Sequence, residues 1–192
     1  MRLAELILVF LTAAACRAAA VSPYTLSDEG RPSLTERDAE RAMELNRRAA
    51  DLLTTDLDEA ERLLRAALAA DLYCGPAHNN LGIVHLSRGQ LYEAAHEFEW
   101  ARKLLPGHPD PRLNLAIALH RGGRVSDSAE AYEAALEVAP GHLDAIQGLA
   151  RLTLEHGLAD GRLPGWLRRI VLEGSPEWRQ WAKKELALGT SR

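Results

Sequence analysis

The chain repeats itself at a distance of 34 residues. Leu81 falls on Leu115, Gly89 on Gly123, Phe98 on Tyr132, Ala101 on Ala135 and Pro106 on Pro140. Ala60 falls on Ala94 and Ala67 on Ala101, while Asn46, Asn80 and Asn114 mark one position in three successive units. A fixed period of this length means stacked supersecondary units, none able to bury its apolar face alone. Within each unit, apolar residues recur at helical spacing in two stretches. A Gly-containing turn separates them, Ser87-Arg88-Gly89 in one unit and Arg121-Gly122-Gly123 in the next, so each unit reads as two antiparallel helices. Composition agrees: the 47% of hydrophobic residues come mainly from Ala and Leu, the best helix formers, and aromatics are only 5%.

Residues 75–108 carry Leu81-Gly82 on the first helix, Gly89 at the turn, Ala94, Phe98 and Ala101 on the second, and Pro106 as terminator. This pattern resembles the tetratricopeptide repeat family. Small residues at 82, 94 and 101 let two helices cross closely with Phe98 beside them, and Pro106 ends the second helix because it lacks an N–H. Residues 109–142 repeat the pattern with Leu115-Ala116, Tyr132, Ala135 and Pro140, and with Ser128 where the family has Ala. The flanks are degenerate. Residues 41–74 put Arg47-Arg48 where the family has Leu-Gly and Leu72 where it has Pro; in 143–174, Asp160 to Gly165 interrupt the pattern before a short helix from Trp166 to Glu173. Ser175-Pro176-Glu177 then opens a capping helix over 176–187. The resemblance implies an all-α fold: a right-handed α-solenoid of three to four helix pairs plus the capping helix, over 39–187.

The N-terminus is of another kind. Residues 1–20 read as a signal: an apolar run from Leu6 to Ala15, too short for the roughly 20 residues of a membrane span, fits the h-region of an export signal. Glu5 is atypical there. Two endings compete. Ala18-Ala19-Ala20 offers cleavage before Val21, whereas Leu11 to Cys16 resembles the lipobox of bacterial lipoproteins, with Cys16 the acylated residue and Ala13 replacing the usual Leu. The first gives an exported, periplasmic protein and the second a membrane-anchored lipoprotein; an unprocessed N-terminus leaves the protein cytoplasmic. Residues 21–38 read as a flexible linker, with Ser33 or Thr35 capping the helix that follows.

Little in the sequence points to chemistry. His78 and His85 lie on one helix face but about 10.5 Å apart along it, too far to share an ion bound at about 2.1 Å. Glu93-Ala94-Ala95-His96 has a spacing used in di-metal helical bundles, yet the second such motif those sites need does not occur. No nucleophile elbow, P-loop or dinucleotide fingerprint is present. The acidic run Asp56, Asp58, Glu59, Glu61 reads as a helix N-terminus. The expectation is therefore a chain with no catalytic residue, no cofactor and no metal. A net charge of −4 gives no reason to expect nucleic acid, and a membrane is expected only through an anchor at Cys16.

What the resemblance implies instead is binding of a protein or peptide in a concave groove lined by first helices. Carried over position by position, that groove shows Asn46, Asn80, Ile83, Asn114, Ile117, Arg121, Gln147 and Arg151. The asparagines, each able to donate and accept, are placed to form a ladder along an extended peptide. Arg121 and Arg151 favour acidic ligands at one end, an effect blurred by Asp110, Asp144 and Glu155. The family's clamp for a chaperone's C-terminal carboxylate is not implied, because Leu45 and Asn79 stand where it has basic residues. A second expectation is an assembly or localisation role through the convex face or the C-terminal helix, with Trp178 and Trp181 either exposed for a partner or capping the last repeat.

Overall fold

A computed structural model describes residues 37–189. Among the described residues there are nine α-helices and no strand: α1 (Ala39–Ala50), α2 (Leu57–Ala70), α3 (Gly75–Ser87), α4 (Leu91–Leu104), α5 (Asp110–Arg121), α6 (Val125–Val138), α7 (Leu143–Glu155), α8 (Leu163–Glu173) and α9 (Pro176–Gly189). They pack as four antiparallel pairs, α1–α2 through α7–α8, closed by α9 on α8. No helix here is long and apolar enough to cross a membrane. The segment expected to be an export signal, Cys16 and all of the expected linker but its last two residues lie outside the described residues.

Each pair closes on small residues, as the repeat predicts. Gly82, Ala94, Phe98 and Ala101 are fully or almost fully buried, and a Cβ at Gly82 would stand 2.5 Å from Phe98 Cε1. The turns follow one design. Gly89, Gly123 and Gly157 have φ of +75°, +74° and +63°, a region glycine enters without penalty. Beyond each, the next backbone N–H reaches back to close the helix: Gln90 to His85 O, Arg124 to Leu119 O and Leu158 to Thr153 O, all at 2.9 Å. Ser128, in place of Ala, is buried and donates its hydroxyl to Ala116 O at 2.8 Å. The acidic run behaves as a helix start: Asp56 caps α2, accepting from the Glu59 N–H at 3.0 Å, and Asp58 and Glu61 pair with Arg88 of the next unit.

Successive first helices touch, α1 with α3, α3 with α5 and α5 with α7, whereas successive second helices make no comparable contact. First helices therefore lie on the inner side of the stack and second helices on the outer side.

Three boundaries differ from the sequence reading. The cap of α1 is Asp38, whose carboxylate accepts from the Arg41 N–H at 2.9 Å, because the helix begins beside it and not beside Ser33 or Thr35. The helix expected from Trp166 starts at Leu163. Pro164 sits in its first turn, where a missing N–H costs nothing, and Arg162 just before it pairs with Asp160 and Glu133 and lies 4.7 Å over the Trp166 ring. The capping helix runs two residues further than expected, to Gly189.

Candidate functional site

The inner face is built from α1, α3, α5 and α7, and it sorts the uncharged residues expected there into three groups. Ile83 and Ile117, equivalent positions 34 apart, are half-buried and packed on the core of the central repeats. They form an apolar floor. Asn80 and Asn114 are also half-buried, and their amides clip consecutive first helices together: Asn80 Nδ2 donates to Asn46 Oδ1 at 2.9 Å, and Asn114 Nδ2 donates to Asn79 Oδ1 at 3.0 Å. Only the first rung, Asn80 to Asn46, joins equivalent positions; in the second, Asn114 bonds Asn79, the neighbour of Asn80. Asn46 and Gln147 are buried and so offer little surface to a ligand.

The two arginines differ. Arg121 is exposed, with Nη1 donating to Leu86 O at 3.2 Å. Arg151 holds its guanidinium 4.1 Å over the Trp178 ring and 5.9 Å from that of Trp181. Those two indoles stack edge to face at 5.1 Å and pack on the C-terminal core around Ile146, Ala150 and Ile170. They cap the last repeat, and the charge of Arg151 is directed at them. At the next groove position the asparagine series ends in Gly148, against which the Tyr132 ring packs. Burial pushes the Tyr132 phenol up to about 12, with Arg151 opposing the shift and Glu155 adding to it.

The histidines of α3 are structural. His78 is buried, its Nδ1 2.7 Å from Glu97 Oε2 and its Nε2 2.9 Å from Leu72 O. The Trp100 ring stacks on it at 5.7 Å. His85 is buried against Gln90, Nδ1 to Oε1 at 2.7 Å. On the outer side, α4 and α6 flank a cleft of about 460 Å³ floored by Leu115, Leu119 and Ala131 and rimmed by Tyr92, Arg112 and Glu130.

One group of potential ligands escapes a search for motifs along single helices. His120, Glu155 and His156 converge at the ends of α5 and α7. They stand 35 and 36 positions apart, so only the repeat register, which places residue 120 beside 154, carries the signal.

The family model described as tetratricopeptide repeat matches residues 52–109, 79–142 and 113–176. The chain belongs to the tetratricopeptide repeat family. Among solved structures, the first tetratricopeptide domain of Spaghetti (RPAP3) bound to an HSP90 peptide is 17% identical, with a TM-score of 0.61 over 64% of this chain and 98% of that one. The Yersinia enterocolitica type III secretion chaperone SycD, in complex with a peptide of the translocator YopD, is 16% identical, with a TM-score of 0.56 over 61% of this chain and 95% of that one. A mutant O-GlcNAc transferase of Thermobaculum terrenum is 27% identical, with a TM-score of 0.63, over 69% of this chain but only 27% of the transferase. No curated protein matches at a significant level.

Proposed function

We propose that this tetratricopeptide protein is a non-catalytic adaptor that takes a peptide or a partner's helix in its inner groove, in the bacterial cell envelope. The observation that carries this reading is the floor of Ile83 and Ile117 flanked by the Asn80 and Asn114 amides. Each amide has used one N–H on a neighbouring helix and keeps further donor and acceptor capacity. An apolar floor with fixed amides at its edges suits an extended backbone with small or apolar side chains. Two relatives in fold are bound to peptides, which supports the same use of the groove here. With Asn79 and Ile83 where the carboxylate clamp would stand, the ligand is of another kind than a chaperone terminus.

A photo-crosslinker placed at position 83 or 117 is expected to capture a discrete partner. The triple variant Asn80→Ala, Asn114→Ala, Arg121→Glu, checked by circular dichroism, should recover it at least about tenfold less well, the loss that about 1.4 kcal/mol produces. Undiminished recovery would remove the groove as the binding surface. Loss of capture on Tyr92→Ala instead would favour the second reading, an assembly factor using the outer cleft, which the 82% exposure of Tyr92 supports.

For location we propose export, with the domain either anchored through a lipidated Cys16 or released by cleavage after Ala20. The apolar run Leu6 to Ala15 supports it. Mass spectrometry of the mature N-terminus should find diacylglyceryl-Cys16 or free Val21; an intact Met1 in the native host would refute export.

A further inference from the structure

We propose that His120, Glu155 and His156 form a binding site for a divalent transition metal of the class of zinc, at the junction between the third helix pair and α7. It is independent of the groove reading. His120 closes the last turn of α5, Glu155 ends α7 and His156 is its C-cap. Their donor atoms all lie within 4.8 Å of one another. His120 Nε2 is already 3.3 Å from Glu155 Oε2, and the His120 and His156 rings meet edge to face at 5.8 Å. Tetrahedral zinc with bonds of about 2.0–2.1 Å needs donors about 3.4 Å apart. One contact therefore has the required spacing, and side-chain rotation of the exposed His156 supplies the remainder.

The donor set is selective in kind. Two imidazoles and one carboxylate suit zinc, and also copper or nickel, better than magnesium or calcium, which prefer oxygen ligands alone. Three protein ligands leave a fourth position, here facing solvent, for water or a donor group of a bound molecule. Electrostatics favours a cation there, because the C-terminal ends of α5 and α7 bring two sets of helix carbonyls to the same place. The arginines of α5 and α7 beside these residues in sequence are engaged elsewhere: Arg121 with Leu86 O and Arg151 over Trp178.

The repeat itself supplies a control. At the preceding junction the equivalent positions are Leu86, Arg121 and Gly122, none of which ligates metal. The scaffold does not require histidine or glutamate at these places, so the trio is a property of one junction and not of the fold. Gly157 follows directly, and its positive φ ends α7 so that His156 remains at the helix terminus. A metal held there would tie α5 to α7, stapling the third unit to the fourth.

The test is titration of the full chain, purified without a histidine tag, with zinc chloride by calorimetry and thermal melting. One zinc per chain is expected, with the thermal midpoint raised by roughly 5–10 °C at about 100 times Kd. His120→Ala and His156→Ala should each weaken binding by more than about tenfold, Glu155→Gln should weaken it measurably, and His108→Ala in an exposed loop should not. Glu155 and His156 are exposed and His120 is half-buried, so the metal-free melting of each variant, measured beside that of the metal-free wild type, separates loss of binding from loss of packing. Absence of saturable binding would overturn the proposal. So would equal affinity in the His120→Ala/His156→Ala double variant, or an equal loss in His108→Ala.

Discussion

Glu97→Leu is expected to lower the free energy of unfolding by about 3–5 kcal/mol, the usual cost of removing one partner from a buried pair of ionisable groups. Glu97 is 3% exposed on α4 and His78 is 1% exposed on α3, so neither can turn to water. The Leu72 carbonyl only accepts, so His78 Nε2 carries a hydrogen. Removal of the carboxylate takes away the group 2.7 Å from Nδ1 in a low-dielectric interior, walled by the Trp100 ring. Replacing both residues by Leu should recover a large part of the loss, because an apolar pair of similar volume has nothing left to desolvate. Urea denaturation of the two single variants and the double variant measures this. A coupling energy below about 0.5 kcal/mol, the scatter of independent sites, would show that the pair does not act as a unit.

A loss of about 3–5 kcal/mol is likewise expected for Phe98→Ala. Phe98 is fully buried and sits on Gly82, where α3 and α4 cross. Truncation leaves a cavity that the crossing cannot close, because the backbone of α3 already lies against the space and carries no side chain to fill it. The complementary change, Gly82→Ala, puts a methyl into the ring and should cost about 1–3 kcal/mol by overpacking. The two positions share one volume, so Gly82→Ala combined with Phe98→Leu should cost less than the sum of the two single changes. Additive losses would mean that the ring and the glycine are not in register.

The helix pairs were legible because the repeat encodes packing in residue size. Gly82, Ala94, Phe98 and Ala101 say where helices cross, and Pro106 and Pro140 say where they stop. Boundaries were less legible where one residue type serves two purposes. Pro164 reads as an interruption in a sequence but is at home in a first helical turn, and Ser33, Thr35 and Asp38 are all competent caps until the helix start selects one.

Side-chain partnerships were hardest to read. The period places Asn80 and Asn114 on equivalent positions, but does not say that Asn114 bonds Asn79, one residue aside, because that depends on the rotation between neighbouring units. Nor does it say that Arg151 turns to Trp178. The pairing of His78 with Glu97 joins two helices 19 positions apart, and the convergence of His120 with Glu155 and His156 joins two units. Both are set by the way helices stack, which a pattern along one helix does not contain.

The contacts of this stack join each helix to the next or the next but one. Position along the chain and position in space therefore follow the same order, and the loops that folding must close are short and cheap in entropy. It follows that a whole unit is an exchangeable length of wall. A 34-residue unit with the pattern of the central repeats, inserted at their boundary, extends the inner face by one Asn and one Ile, and only the two units that flank it exchange neighbours.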